Sequence, residues 1–245
     1  MTPLSTAASP DATPSESASA PLPRVLVLVA HPDLHASRVN RQLLRAARTL
    51  QAVHAPRIEV RDLYALYPDF DIDVRAEQQA AAAADLIVWQ HPIHWYSMPA
   101  LMKLWLDEVL TQGWAYGRGG TALMGKDLWL VASTGGPEAT YHPERYNRYF
   151  FDAFLPPYEQ TAALCGLRFL PPLVLHGANS ASAIELAEHS QTYLAHLRDY
   201  PAWPEIADLP ACVSCPIPPD DRPDDRPENR WTLDNPNPNH RSASA

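Results

Sequence analysis

Apolar and polar residues alternate along this chain in blocks of two kinds. After Arg24, residues 25–30 are continuously apolar (Val-Leu-Val-Leu-Val-Ala), as expected of a central strand covered on both faces. Residues 86–89 (Leu-Ile-Val-Trp) and 128–133 (Leu-Trp-Leu-Val-Ala-Ser) repeat that character. Residues 57–62 alternate Ile58 and Val60 with Glu59 and Arg61, which marks a half-exposed edge strand. Residues 168–175 read as a fifth strand, and Pro171-Pro172 within it points to an edge or an irregular start.

Helical periodicity fills the gaps. Ser37 is a good N-cap for a helix with Val39, Leu43, Ala47 and Leu50 on one face. An alanine-rich helix covers 74–84. Pro99 opens another, in which Leu101, Leu104, Trp105 and Val109 share a face while Lys103, Asp107 and Glu108 point elsewhere. A helical region over 150–165 is interrupted by Pro156-Pro157, and a last helix spans 181–198. Strands alternating with helices predict one parallel sheet with right-handed crossovers. Five strands fit the flavodoxin-like α/β order 2-1-3-4-5, whereas a six-stranded dinucleotide fold needs more strands than the chain supplies.

Composition sets the limits of that domain. The 26 prolines, against only nine glycines, are concentrated towards the ends. Residues 1–23 are almost devoid of large apolar side chains, and 201–245 are rich in Pro, Asp, Asn and Arg. Both ends are expected to be disordered tails flanking a single domain over 24–200. A net charge of −9 argues against nucleic acid and against adsorption to anionic lipid. No apolar run has the length of a membrane span and the N-terminus lacks the features of a signal peptide, so the expected location is cytoplasmic. Cys165, Cys212 and Cys215 do not form the framework of a secreted domain.

Candidate chemistry gathers where strands one, three and four end, because open parallel sheets bind ligands beyond the carboxyl ends of their strands. The first loop offers His31, Ser37 and Asn40 at a helix start, where free N–H groups and the helix dipole favour an anion, although Ser37 would serve equally well as a cap alone. The second carries Ile93-His94-Trp95-Tyr96-Ser97, whose aromatics either pack the loop or offer flat apolar surface to a ring. The third carries Thr134-Gly135-Gly136-Pro137, where backbone N–H groups can reach a ring's polar rim. There is neither a G-x-G-x-x-G nor a P-loop motif. A phosphate site beside an aromatic wall suits a flavin mononucleotide.

Several stretches taken together resemble the flavin-dependent NAD(P)H:quinone oxidoreductases. They are 27–32, 37–40, 91–105, 113–117 (Gly-Trp-Ala-Tyr-Gly) and 134–136. Within that family the likeness is strongest to the ancillary oxidoreductase of glutathione-gated potassium efflux systems, notably over 63–70 (LYALYPDF) and 85–92 (DLIVWQHP). The resemblance spans about residues 24–198. It implies a homodimer holding FMN that passes two electrons from NADH or NADPH to quinones by a ping-pong route. It also implies a possible partnership with a membrane potassium/proton antiporter, which would place the protein peripherally at the inner membrane.

By matching positions, His31, Ser37, Arg38, Val39 and Asn40 would hold the phosphate. Ile93, His94, Trp95, Tyr96, Thr134, Gly135, Gly136 and Pro137 would hold the ring, with Trp114 and Tyr116 lining the pocket. Tyr141 and His142 are the nearest candidates for aiding hydride transfer.

Two residues depart from the family pattern. Pro137 stands where glycine is usual and has no N–H to give. His94 replaces a neutral side chain, and an imidazole there titrates near pH 6.5 if unperturbed, which would tie flavin affinity or potential to pH. A rival reading makes the protein mainly a regulatory subunit of the antiporter, and a third makes it an electron-carrying flavodoxin. The weaker signals carry little. His31, His91 and His94 lack a carboxylate partner for a metal. Residues 69–73 lack the glycine and terminal glutamate of a calcium loop. Cys212 and Cys215 form a lone C-x-x-C, and Cys165 reads as core.

Overall fold

The computed structural model describes residues 22–207, except residue 56, together with residue 209. Most of both proline-rich ends, with Cys212 and Cys215, lies outside them. Five strands, β1 (Val25–Val29), β2 (Ile58–Asp62), β3 (Leu86–Pro92), β4 (Asp127–Ser133) and β5 (Arg168–Leu175), form one sheet in the order β2-β1-β3-β4-β5. Every pairing is parallel. The helices are α1 (Val39–His54), α2 (Leu63–Leu66), α3 (Val74–Ala83), α4 (Ala100–Val109), α5 (Pro156–Cys165), α6 (Ala183–Asp199) and α7 (Pro204–Ala207).

Period-two alternation splits the core into two layers. Leu26, Leu28, Ile87, Trp89, Leu128 and Leu130 face α3, α4 and α5 on one side of the sheet. Val25, Val27, Val29, Val88, Trp129 and Val131 face α1 and α6 on the other. β5 is an edge strand, and its pairing with β4 slips where Pro171-Pro172 interrupts the ladder.

Three elements differ from expectation. Pro99 is the cap of α4 rather than its first residue, and the buried face of α4 includes Met102 and Leu106. Pro156-Pro157 begins α5 instead of interrupting a helix, because a missing N–H costs nothing in the first turn. The packed region also runs past Tyr200. Trp203 is buried, its ring meeting Trp129 edge-on at 4.9 Å and its indole N–H donating to the His196 carbonyl, and Ile206 is buried beside it.

A buried carboxylate ties the layer of α3 and α4 to the sheet edge. Glu77 on α3 is fully buried and accepts hydrogen bonds from Arg61 of β2 (2.6 and 2.8 Å), the Tyr67 hydroxyl (2.5 Å) and the Trp105 indole of α4 (2.8 Å). Glu77→Ala would leave three donors without that acceptor. We expect it to lower unfolding free energy in a denaturant titration by about 3–5 kcal/mol, and a loss below about 1 kcal/mol would show the network to be incidental.

Candidate functional site

At the carboxyl ends of β1, β3 and β4 lies a cavity of about 460 Å³. Its walls come from the β1 loop (His31 to Asp33, then Ala36 to Val39), the end of β3 (Pro92 to His94) and the end of β4 (Ser133 to Gly135). A fourth wall, Ala178-Asn179 after β5, went unnoticed in the sequence, where Gly177 and Asn179 directly after a strand were the available signal. That loop is braced on its neighbour. Gly177 N–H donates to the Gly136 carbonyl (2.9 Å), Ala178 N–H to Thr134 (2.8 Å), and Arg38 Nη1 reaches the Asn179 carbonyl (3.3 Å).

The start of α1 forms one end of the cavity. Ser37 Oγ accepts from the Asn40 N–H (3.1 Å), so the expected cap is present. Among the described residues the N–H groups of Arg38 and Val39 have no acceptor, which leaves two donors at the positive end of the helix dipole. Asn40 has a structural partner. Its buried side chain donates to Ser133 Oγ (2.9 Å), and Asn40 is not among the residues that line the cavity.

His31 and His94 face each other edge-on, ring centroids 6.1 Å apart. His31 Nδ1 accepts from Asp33 N–H (3.1 Å), and burial, then the neighbouring His94, push its pKa below the ordinary imidazole value against a weaker pull from Asp33. A tight turn closes between His94 and Ser97, with Trp95 and Tyr96 at positive φ (49° and 64°). This turn sets how the two aromatics expected to form a wall are presented. Trp95 is 94% exposed, and Tyr96 turns outward to stack on Phe154 (5.2 Å), so Ile93 and His94 are the residues that meet the cavity.

At the end of β4 the buried Thr134 hydroxyl donates to the Gly136 carbonyl (2.7 Å). The same hydroxyl lies 3.0 Å from His176 Nδ1. A Cβ on Gly135 would meet only the Asn179 amide, at 3.7 Å, and among the described residues its N–H has no acceptor. A Cβ on Gly136 would strike Thr140 Oγ1 at 2.9 Å, so that glycine is required by packing. Gly136 and Pro137 sit outside the cavity, and Trp114 and Tyr116 pack on the core layer of α3 and α4.

The two catalytic candidates separate. Tyr141 is nearly buried among Phe151, Phe154 and His176, and burial raises its hydroxyl pKa, with Thr134 drawing it partly back. His142 is exposed against Phe150, its Nδ1 accepting from Glu144 N–H. His91 is fully buried at the end of β3, stacked on Tyr158, its Nδ1 bonded to the Pro92 carbonyl. Among the described residues no three His, Cys, Asp or Glu gather at metal-binding distance, and no helix is long and apolar enough to cross a membrane.

A family model described as the flavodoxin-like fold matches residues 23–197. The chain belongs to this flavodoxin-like family. Three solved structures resemble this family member. A protein described as a thermophilic tryptophan halogenase from Streptomycin violaceusniger is 45% identical, with 70% of this chain and 97% of that one covered and a TM-score of 0.65. General stress protein 14 from Treponema denticola, in complex with FMN, is 39% identical over 72% and 98% of the two chains, with a TM-score of 0.67. An NADPH-quinone reductase from P. pentosaceus is 26% identical over 71% and 97%, with a TM-score of 0.63.

Burial of His91 in the flavodoxin-like core has a measurable consequence. Removal from water, and to a lesser degree His94, lower its pKa from 6.5 to about 4, against the pull of the Pro92 carbonyl. Between those pH values the unfolded chain takes up a proton that the folded chain refuses, so stability falls as pH falls. The expected loss from His91 is about 3 kcal/mol between pH 6.5 and 4. Buried His189, also lowered to about 4, acts in the same direction. Denaturant midpoints should drop over this window, and His91→Gln should flatten the slope; an unchanged slope would remove His91 from the account.

Proposed function

We propose that this flavodoxin-like protein is an FMN-dependent NAD(P)H oxidoreductase acting on quinone-like acceptors. The observation that carries the reading is the opposition, across one cavity, of the α1 start with its unpaired N–H donors and the open Gly135 edge at the end of β4. Such a cavity fits a molecule with an anionic end and a planar polar ring. The FMN complex of the 39% identical relative and the quinone-reductase activity named for the 26% identical one support the same reading. The halogenase named at 45% identity makes the acceptor the part most in need of assay.

When bound, FMN supplies a hydride acceptor that passes on two electrons. The chain's own groups have distinct tasks. The Arg38 and Val39 N–H groups, with the Ser37 hydroxyl and Arg38 guanidinium, hold the phosphate, and His31 adds a neutral donor beside it. Gly135 N–H addresses the ring's polar rim while Ile93 and His94 cover its apolar part. Thr134 and His176 hold the β4 loop in place. Tyr141, its hydroxyl kept protonated by burial, is the candidate we favour over His142 for aiding hydride transfer. Nicotinamide and quinone would use the same open face in turn, the ping-pong order.

Exposed Trp95 fits a homodimer in which a second copy covers it. The likeness over 63–70 and 85–92 carries a finer reading, a role ancillary to a potassium/proton antiporter. Part of that stretch is occupied with packing, since Leu63 is buried and Tyr67 donates to Glu77.

Purified protein supplied with FMN should turn yellow, bleach on anaerobic addition of NADH or NADPH, and recover colour with a soluble quinone. Gly135→Leu should abolish flavin binding while leaving the circular dichroism unchanged. A preparation that stays colourless in excess FMN, or one that chlorinates tryptophan but ignores quinones, would overturn the reading.

A further inference from the structure

Beside the flavin cavity, on the far side of the 93–97 turn, lies a second cleft of about 570 Å³. Its lining is unusual for a chain of net charge −9. It presents two guanidinium groups, Arg145 and Arg148, with the rings of Tyr96, Tyr146, Tyr149 and Phe154, and no carboxylate. The acidic residues of the same segment, Glu138, Glu144 and Asp152, do not line it. Neither arginine forms an ion pair among the described residues.

The backbone here is held in costly conformations. Four non-glycine residues among those described have positive φ, and two of them, Tyr96 and Arg148 (φ 60°), line this cleft, with Trp95 adjacent. Such geometry costs of order 1–3 kcal/mol per residue and clusters at ligand clamps. Tyr96 and Arg148 line the same space from these conformations.

Paired guanidinium groups suit a dianionic phosphate, and phenol rings suit the face of a purine. We propose that this cleft recognises the 2′-phosphoadenosine end of NADPH, so that the enzyme prefers NADPH to NADH. The assignment rests on the function proposed above, and it supplies the co-substrate choice which that function leaves open. The shared 93–97 turn carries it: His94 lines the flavin cavity and Tyr96 lines the cleft, so one dinucleotide spanning the turn engages both.

The decisive experiment compares kcat/KM for NADPH and NADH in the wild-type protein and in Arg145→Gln/Arg148→Gln, alongside calorimetric titration with adenosine 2′,5′-diphosphate, which needs no turnover. The expected wild-type preference for NADPH is at least tenfold. The double variant should lose tenfold or more of that ratio, in line with about tenfold per charge-assisted hydrogen bond. Binding of the diphosphate should weaken in parallel. Arginine-dependent binding of the diphosphate by a protein that reduces no quinone would leave the cleft assignment standing and remove the proposed reaction. Equal use of both nucleotides, or a loss that falls equally on both in the variant, would overturn the cleft assignment while leaving the reaction intact.

Discussion

Ser133, Asn40, Gln90 and Tyr193 form a continuous run of buried hydrogen bonds beneath the cavity, and the position of the site depends on it. Asn40 donates to Ser133 of β4, Gln90 of β3 donates to the Asn40 carbonyl (3.2 Å), and Tyr193 of α6 donates to Gln90 (2.7 Å). Four elements are thereby locked at one depth. In a dry interior each polar group must find its partner or lose of order 1–3 kcal/mol, so the start of α1 has a single satisfied placement. The N–H donors at that start are consequently held in position by buried side chains, of which Ser133 also lines the cavity.

Glu77 of α3 acts comparably in the opposite layer, where it accepts from Arg61 of β2, Trp105 of α4 and Tyr67 in the turn after α2. Between the two polar fixtures the sheet is apolar and packs by alternation alone. The site therefore stands on a frame whose directionality comes from a few buried polar groups and whose cohesion comes from area. Loops resting on such a frame can carry strained residues, as the 93–97 turn does.

Strand order, the convergence of three loops and the cap at Ser37 were legible in the chain because each follows from periodicity or from one residue's local chemistry. What could not be read was direction. Trp95 and Tyr96 are an aromatic pair in sequence, and that both take positive φ, with Trp95 exposed and Tyr96 on Phe154, is a fact of backbone geometry with no compositional trace. The bond of Asn40 to Ser133 depends on an approach in three dimensions that the sequence does not carry. The β5 loop reaches the cavity only through its backbone bonds to Thr134 and Gly136, which leave no pattern in the sequence. The end of the packed region was placed too early because proline density rises just where Trp203 and Ile206 still reach the core.

Pro171 and Pro172 have a further effect through where they sit. A sheet edge normally offers a row of amide donors to any passing strand, and β5 carries two adjacent prolines, neither of which has an N–H to give on either side of the strand. The opposite border is guarded by charge, with Glu59 and Arg61 paired along β2. Neither margin favours growth of the sheet by annexing another chain, so any self-association is steered to helices and turns, the surfaces on which the two clefts open.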